Sequence, residues 1–433
     1  MLIGIHVRNF GILHRTTIGL TWDQLRKQPV HGFGRFDSSG RYPLNQLTVL
    51  IGKNSSGKSS LIDALSFVTD CLKHDVQVAS TLSNRGGFAR LVTAGASKCV
   101  SFSLVFDRDN QHQSFLCYQL QISCDDHGRP FISAEKASQL IPADSALVQK
   151  DQSESFESEI SGIDQKDQAA APQLVEQVLL DLKSGKGTVY DSIHKNDAPA
   201  DMNDLKHPAL AVYGMLRLFP ELSYLYSQIS HWYFCLYGKT DMNRPRQHSK
   251  GGHKHINHAC DNIENVLEYY RQEHPGHYTA MMKRLDEKMP EEKPVDQVFY
   301  DGSMTSGSLK LFAHLLLLED PHPRPLLCFE EPETGLYHDM VDLLSLEMRD
   351  YTIRHPNCQI IFITHSPFVL ESIRPEEIWV FRRKKQMGSD VSGQYQSIAG
   401  CAAKNNMINA LYEQGVGMSA IWYSGHFDQD AED

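Results

Sequence analysis

Residues 52–59 read Gly-Lys-Asn-Ser-Ser-Gly-Lys-Ser and match the pattern G-x-x-x-x-G-K-S in full. The apolar run 47–51 comes directly before this loop, and the amphipathic stretch 60–72 follows it directly. A strand, a glycine-containing loop and the start of a helix form the context in which this pattern binds phosphate. We favour this interpretation over an accidental turn, and we expect a strand–loop–helix unit of an α/β fold.

The residue types of this loop suit the phosphates of a nucleotide. The glycines permit backbone torsions that let the loop amides surround a β-phosphate at a positive helix end. Lys58 is expected to reach the β- and γ-phosphates, and the hydroxyl of Ser59 is expected to bind Mg²⁺. The predicted nucleotide-binding residues here are Gly52, Asn54, Ser55, Ser56, Gly57, Lys58, Ser59 and Ser60.

Length and composition indicate a globular protein of one large domain with an insertion, or of two domains, because the chain has 433 residues. Nine cysteines without paired spacing are typical of reduced, buried thiols. There is no leader pattern and no apolar run near the ~18 residues that cross a bilayer. We therefore expect a cytoplasmic protein without a membrane partner.

The charge pattern bears on nucleic-acid binding. A net charge of −11 argues against a wholly basic surface, but it leaves a local DNA-binding groove open. The densest basic run, 382–385, follows the strand-like residues 378–381. We favour a hairpin or a charge-protected sheet edge there over a nucleic-acid site.

Outside the phosphate loop, the first part of the chain predicts three strands, which are followed by a polar insertion. Residues 2–10 alternate like a first strand, and the runs 100–106 and 115–123 predict an antiparallel hairpin. Residues 141–172 are polar and acidic, which predicts a mobile insertion, and we expect the acidic tail 428–433 to be disordered.

Beyond the insertion we expect a compact helical lobe without a long coiled coil, because sustained heptads are lacking. The aromatic-rich stretch 210–237 is apolar enough for a buried helix pair. A further helix is predicted by apolar residues at helical spacing, namely Leu174, Val175, Val178, Leu179 and Leu182.

A histidine-rich segment offers ligands that zinc accepts. The surrounding Ser-Lys-Gly-Gly sequence is flexible, and the spacing matches no paired-ligand framework. We favour a solvent-exposed loop over a metal site for His248, His253, His255, His258 and Cys260.

Two further strand patterns end in polar residues. The run 325–329 ends at Glu330 and Glu331, and the run 359–364 ends at His365. Adjacent carboxylates at the end of a parallel sheet suit Mg-nucleotide chemistry, in which one holds the metal shell and the next polarises the attacking water. We assign the first role to Glu330 and the second to Glu331, and we expect His365 to touch the γ-phosphate.

These motifs, in this order, resemble the ABC-type ATPases of the RecF/SMC/OLD group, and within it the single-chain predicted ATPases of the AAA family in bacterial anti-phage and plasmid-borne systems. The resemblance covers nearly the whole chain. It rests on Asn9-Phe10, on residues 53–58, Arg85-Gly-Gly-Phe88, Ser306-Gly-Ser-Leu-Lys310, residues 330–336, Thr364-His-Ser-Pro367 and Ile421-Trp-Tyr-Ser-Gly425.

The resemblance implies roles for the second half of the chain. Thr305 and Gly307 would contact the γ-phosphate of an ATP molecule held by a second subunit, and the signature helix would run from Leu309 onward. Residues 333–336 look like the D-loop at the subunit interface, and His365 looks like the switch histidine. The implied active unit is a head-to-head dimer, or a larger homo-oligomer, with ATP and Mg²⁺ between subunits.

The resemblance also implies an ABC-type head with an antiparallel β subdomain and an inserted helical lid. We expect the head in residues 1–135 and 296–433, and the acidic segment with the helical lobe in 136–295. Only 68 residues follow His365, too few for the Toprim nuclease domain of OLD proteins. Any nuclease or toxin activity is therefore expected from a separately encoded partner.

The chain departs from the family pattern in the Walker B strand and the signature. Glu330 replaces the usual Asp, Ser306 replaces a Gly or Asp, and Tyr337-His338 replaces a His-Pro pair. The first two changes indicate slow turnover, and nucleotide binding is still expected. We assign no Q-loop residue among the glutamines near the hairpin, which are Gln111, Gln113, Gln119 and Gln121.

The leading functional hypothesis is an ATPase that assembles with ATP, senses a trigger and regulates a separate effector in anti-phage defence. A RecF-like, ATP-dependent DNA-binding repair protein is the main alternative. A scaffold that binds ATP with little turnover is the other.

Overall fold

A computed structural model describes residues 1–27, 42–110, 114–143, 174–235, 254–258, 260, 262–289, 293–385 and 395–427. The chain divides into two compact units. The first unit comprises Met1–Leu44, Asp63–Ser230 and Arg383–Ala399. The second unit comprises Asn45–Ile62, His231–Arg382 and Gly400–Asp433.

Strands are numbered in chain order. They are β1 (Leu2–Phe10), β2 (Leu13–Gly19), β3 (Leu47–Gly52), β4 (Cys99–Asp107), β5 (Phe115–Cys124), β6 (Pro130–Pro142), β7 (Leu174–Lys183), β8 (Lys186–Asp191), β9 (Asn196–Asp201), β10 (Tyr233–Cys235), β11 (Leu326–Glu330), β12 (Gln359–Ile363), β13 (Ile378–Lys385) and β14 (Tyr395–Cys401).

The α-helices are numbered in the same way, and short 3₁₀ turns cover Leu82–Asn84, Phe368–Ser372, Pro375–Glu377 and Ala402–Lys404. The helices are α1 (Trp22–Lys27), α2 (Lys58–Lys73), α3 (Val76–Ala79), α4 (Phe88–Leu91), α5 (Ala209–Tyr213), α6 (Pro220–Ser230), α7 (Ile263–Glu273), α8 (Pro275–Lys288), α9 (Val295–Tyr300), α10 (Ser306–Leu318), α11 (His338–Arg354), α12 (Asn406–Glu413) and α13 (Met418–Tyr423).

An eight-stranded sheet has the order β2-β1-β4-β5-β6-β7-β8-β9. Each neighbouring pair in it is antiparallel. The predicted first strand and the predicted hairpin are confirmed as β1 and as the β4–β5 pair, in which Phe102 lies opposite Leu120. Three rings, of Phe10, Phe67 and Phe102, pack with centroids 5.6–5.8 Å apart in the first unit.

A six-stranded sheet has the order β10-β11-β12-β3-β13-β14. From β10 to β13 each neighbouring pair is parallel. Glu330 lies opposite Ile363, Ile363 lies opposite Leu50, and Gly52 lies opposite Phe381. The carboxyl ends of β3, β11, β12 and β13 therefore meet at one edge, which is where open α/β sheets bind ligands.

The core of the second unit is built around α10, whose residues 310–318 are all buried. A helix that is apolar on nearly every side belongs inside a protein rather than on its surface. The longest helix in the described ranges, α11, has 17 residues. The predicted α/β fold with an antiparallel β portion and, in the described residues, no long coiled coil is confirmed. The inserted region 136–295 is helical only in part, because β7, β8 and β9 lie within it.

The helix predicted from the spacing of residues 174–182 is wrong, because these residues form β7. The register between β6 and β7 shifts between Ala137 and Ser138, which leaves Leu179 as the extra residue of a β-bulge. A bulge adds one residue to one strand and breaks its alternation. As a result Leu179 and Leu180 are both buried, and the apolar spacing resembles that of a helix.

The predicted helix pair in 210–237 is confirmed as α5 and α6, but the last described residues of this range are not helical. Tyr233–Cys235 form β10, a fully buried strand that pairs in parallel with β11. The basic run 382–385 lies in β13, between β3 and β14, which excludes the sheet-edge alternative. The consecutive strands β13 and β14 are neighbours in the sheet, as the hairpin alternative requires.

The histidine-rich segment is only partly exposed. Cys260 is buried, which contradicts the expectation of a solvent-exposed loop for that residue. His255 Nδ1 lies 2.7 Å from Asp320 Oδ2, and His258 Nδ1 lies 2.7 Å from the carbonyl of Phe234. These polar contacts hold the described part of the segment against neighbouring residues of the second unit. His248 and His253 lie outside the described residues, as do 144–173 and 428–433.

The cysteines are free thiols, and seven of the nine are buried, as predicted. In the part of the chain that the structure describes, no helix is long and apolar enough to cross a membrane.

Candidate nucleotide site

The loop 52–59 joins β3 to α2, as the sequence predicted. Gly52 has φ 135°, and a Cβ atom added there would overlap the carbonyl oxygen of Phe381. Gly57 has φ 113°, so both glycines adopt torsions that favour glycine. Asn54 and Ser55 are exposed. The loop therefore presents its tip to solvent while its first residue is fixed against β13.

Lys58 lies at the start of α2 and is 5% exposed. Its Nζ donates hydrogen bonds to the carbonyls of Gly52, at 2.7 Å, and Lys53, at 3.1 Å. Burial lowers the pKa of Lys58, and the carboxylates of Glu331 and Glu330 oppose that shift. The ammonium group thus lies inside the loop, where phosphate oxygens could replace the two carbonyls as acceptors.

Ser59 and Glu330 are brought together at the carboxyl end of the parallel sheet. The Ser59 hydroxyl donates a hydrogen bond to Glu330 Oε1. Mg²⁺ usually binds through one or two protein oxygens and completes its shell with phosphates and water. A hydroxyl and a carboxylate in contact fit that requirement. No group of three or more His, Cys, Asp or Glu side chains arranged for a metal occurs among the described residues.

Glu331 follows β11 in a left-handed conformation with φ 49°. Its amide donates to the carbonyl of Ile363 at 3.0 Å, and its own carbonyl accepts from the amide of Thr334 at 3.1 Å. The Thr334 hydroxyl lies 3.3 Å from Glu331 Oε2, and His365 Nε2 lies 3.7 Å from Glu331 Oε1. The position of Glu331 is therefore fixed by its backbone hydrogen bonds and by the contacts of its carboxylate.

From the sequence, Glu333 is assigned only to the D-loop range. In the structure it connects two elements of the site. Its Oε1 accepts from the Thr364 hydroxyl at 2.7 Å and from the His365 amide at 3.0 Å. Its Oε2 is buried and has no hydrogen-bond partner within the described ranges. Glu333 therefore fixes the turn that carries His365. The third carboxylate of Glu-Glu-Pro-Glu was the available sequence signal.

Thr305 and Gly307 lie at the start of α10. Thr305 is the N-cap residue, and its Oγ1 accepts from the amide of Ser308 at 3.2 Å. Thr305 and Ser306 are exposed, while Gly307 is buried. A Cβ atom added at Gly307 would lie 3.1 Å from the carbonyl oxygen of Gly335. The structure thus brings Gly307 against the loop that follows Glu331, while Thr305 caps the helix.

Lys310 ends the motif 306–310 on which the resemblance rests, but no role at this site is predicted for it from the sequence. It is 8% exposed, and its Nζ donates to the carbonyls of Thr334, at 2.7 Å, and Glu331, at 3.4 Å. Burial lowers its pKa, and nearby acidic groups oppose that shift. A lysine within the apolar run 309–318 was the only sign of this contact in the sequence.

Comparison with known proteins identifies a family. The sequence profile described as "AAA domain, putative AbiEii toxin, Type IV TA system" matches residues 47–146 and 192–371, which is more than half of the chain. These ranges contain the phosphate loop, the carboxylates and the histidine of the site. No curated protein matches the chain.

Three similar solved structures are heads of SMC proteins. One is an SMC head bound to the C-winged-helix domain of ScpA, with 10% identity, coverage of 93% of this chain and 99% of that chain, and a TM-score of 0.47. The head from Thermotoga maritima has 12% identity, coverage of 92% and 98%, and a TM-score of 0.40. A head with an extended coiled coil bound to the C-terminal domain of ScpA, derived from Pyrococcus furiosus, has 10% identity, coverage of 96% and 99%, and a TM-score of 0.41.

Proposed function

The chain belongs to the family described as "AAA domain, putative AbiEii toxin, Type IV TA system", and from this premise we propose that the protein is a molecular switch that binds ATP with Mg²⁺ and hydrolyses it. One observation carries the proposal. The hydroxyl of the phosphate-loop Ser59 contacts the carboxylate of Glu330, beside a buried Lys58 whose ammonium lies inside the loop. This arrangement matches the parts that phosphoryl transfer requires for positioning and charge stabilisation.

Each residue has a role in the proposed reaction. The loop amides and Lys58 hold the β- and γ-phosphates, which restrains the transferred group and offsets its charge. Ser59 and Glu330 would hold Mg²⁺, which supplies charge neutralisation when bound. A water molecule attacks the γ-phosphorus, the bond to the β–γ bridging oxygen breaks, and Glu331 accepts the proton of the water. His365, within 3.7 Å of Glu331, would orient the γ-phosphate.

We further propose that the active unit contains two copies of the chain. The N-terminus of α10 supports this, because Thr305 and Ser306 are exposed at the positive end of a 13-residue helix. Such an end favours an anion, and the γ-phosphate bound by a second copy would supply it. Without that copy, Thr305 and Gly307 would have no nucleotide to contact.

The biological role we propose is regulation of a separately encoded effector, a nuclease or toxin, in anti-phage defence. The family description names a toxin–antitoxin system, which supports a function that depends on a second, separately encoded component. Capture of partners from the native host with tagged Glu331→Gln, in ATP and in ADP, tests this role. Recovery of the ATPase alone in both nucleotides would count against it.

The first experiment measures the molar mass of Glu331→Gln with Mg-ATP and without nucleotide, together with ATP turnover by the wild type. We expect a mass at least twofold larger with ATP, slow wild-type turnover, and a loss of turnover of about 100-fold or more in the variant. Loss of the carboxylate should leave ATP in place and trap the assembly. Equal turnover in the two proteins would show that Glu331 does not act on the attacking water.

A further inference from the structure

Lys310 is a buried cation on a helix whose other buried residues are apolar except for Ser308 and His314. It occupies the fifth position of α10, and the residues from Leu311 to Leu318 that follow it are buried with it. A buried ammonium is unfavourable unless acceptors surround it. Its acceptors here are carbonyl oxygens of one short turn, those of Thr334 and Glu331.

The turn that Lys310 holds is the one that sets the direction of Glu331. The amide of Thr334 donates to the carbonyl of Glu331 at 3.1 Å, so residues 331–334 close a single turn. Glu331 itself adopts φ 49°, a conformation that costs a non-glycine residue free energy and persists only where its surroundings fix it. Lys310 donates to the carbonyls at both ends of this turn.

The start of α10 also approaches Gly335, the residue that follows this turn. Gly307 has no side chain, and an added Cβ would come within 3.1 Å of the carbonyl of Gly335. The helix therefore contacts the segment after Glu331 at two points, separated by one helical turn. One point is a close backbone approach at Gly307, and the other is the ammonium of Lys310.

We propose that Lys310 is a positioning residue for Glu331, acting through the carbonyls of Glu331 and Thr334 to keep the catalytic carboxylate aimed at the attacking water. This inference rests on the proposed function, because it requires that Glu331 accept the proton of that water. The ammonium of Lys310 donates to the carbonyls of this turn and not to the loop 52–59. It therefore acts on the step that consumes ATP and leaves the binding of ATP unchanged.

A purely structural lysine would behave differently. Its removal would lower the melting temperature and leave the turnover of the remaining folded protein intact. A positioning lysine changes kcat in folded protein, since a displacement of about 1 Å at a reacting group can cost about 100-fold in rate. The ratio between the effects on kcat and on ATP affinity thus separates the two roles.

The test compares Lys310→Met, which is one atom shorter than lysine, keeps an unbranched apolar stem and removes the charge, with the wild type. ATP affinity is measured by calorimetry, kcat by phosphate release, and stability by thermal unfolding. We expect kcat to fall about 10- to 100-fold while the Kd for ATP changes less than about threefold. Leu315→Ala, a buried leucine of the same helix, is the matched control. It should lower the melting temperature with kcat unchanged at 20 °C.

The route through Glu331 is tested by combining variants. In single-turnover measurements, Lys310→Met should change the residual rate of Glu331→Gln by less than about threefold, because residues that act as a unit are not additive. Lys310→Gln keeps an N–H donor on a shorter side chain. It should give an intermediate kcat, and it replaces Lys310→Met if that variant does not fold.

The outcomes separate the inference from the proposed function. If wild-type turnover depends on Glu331 and yet kcat survives in Lys310→Met and Lys310→Gln, only the inference is overturned. The same holds if Lys310→Met slows Glu331→Gln as strongly as it slows the wild type. If the wild type hydrolyses no ATP, the proposed function fails and the inference fails with it.

Discussion

Two loops of the second unit are each held by a buried lysine. Lys58 donates to the carbonyls of Gly52 and Lys53 in the phosphate loop, and Lys310 donates to those of Thr334 and Glu331 in the carboxylate turn. The two side chains are 5% and 8% exposed, and burial lowers the pKa of both. The chemistry of the contact is the same at both places.

The surroundings of the two lysines differ. The loop around Lys58 is exposed at Lys53, Asn54 and Ser55, so a phosphate can enter and take the place of the carbonyls. The turn at Lys310 is backed by α10, and its carbonyls belong to the backbone that carries Glu331. A buried ammonium of this kind is suited to binding if a ligand can replace its acceptors, and to positioning if it cannot.

The largest expected effect tests this contrast directly. Lys58→Ala removes the cation that would face the phosphates, and the loss of a charge partner in a desolvated contact typically costs several kcal/mol. We expect its affinity for ATP, measured by calorimetry with Mg²⁺, to fall on the order of 1,000-fold. In Lys310→Met the affinity should stay within about threefold of the wild type. Similar losses of affinity in both variants would break the contrast between the two lysines.

A smaller effect tests the close contact between the phosphate loop and β13. Gly52 and Gly335 both have positive φ, 135° and 82°, but an added Cβ would overlap Phe381 only at Gly52. Gly52→Ala should therefore lose about 4 kcal/mol of unfolding free energy, from conformational strain and overpacking together. Gly335→Ala should lose only about 1–2 kcal/mol, from strain alone. Chemical denaturation measures both, and equal losses would contradict the role of the Phe381 carbonyl.

The nucleotide loop and the carboxylates could be predicted from sequence because each motif is local. The strand, loop and helix around 47–72 are contiguous, and Glu330 and His365 follow strand patterns whose ends meet by the rule for parallel sheets. Their confirmed placement required no knowledge of side-chain contacts.

Other features could not be predicted, because they depend on tertiary contacts. The bulge at Leu179 disguised a strand as a helix. The three-residue β10 exists only because β11 offers it a partner. Lys310 and Glu333 stand far in sequence from the groups that they hold, 24 residues from Thr334 for Lys310 and 31 from Thr364 for Glu333. No spacing rule reveals such contacts.

The first unit contains a buried charge of the opposite sign. Glu135 is 2% exposed, and its carboxylate accepts hydrogen bonds from the amides of Ala209, at 2.6 Å, and Leu210, at 2.8 Å, and from the hydroxyl of Tyr118, at 2.9 Å. Where a buried lysine gathers carbonyls, this buried glutamate gathers N–H and O–H donors. Desolvation by burial nevertheless raises the pKa of Glu135 to about 7, against the effect of those hydrogen bonds.

This raised pKa predicts the smallest effect, a dependence of stability on pH. Between its ordinary value of 4.5 and about 7, the carboxyl keeps its proton in the folded state and loses it in the unfolded state. Because the folded state then binds more protons, stability falls as pH rises through this window, by at most about 3 kcal/mol from this group. In Glu135→Gln that contribution should vanish, so denaturation between pH 5 and 8 should show a flatter profile than the wild type.

Asp125→Asn is the control for Glu135, because Asp125 is only partly buried and hydrogen bonding to the backbone amide of Arg129 lowers its pKa. Its titration lies below the window, so the variant should keep the wild-type slope between pH 5 and 8. A wild-type profile that rises with pH through this window and is unchanged in Glu135→Gln would mean that Glu135 is ionised throughout. The hydrogen bonds from Ala209, Leu210 and Tyr118 would then stabilise the carboxylate by more than its desolvation costs. The carbonyls around Lys58 and Lys310 stabilise a buried ammonium in the same way.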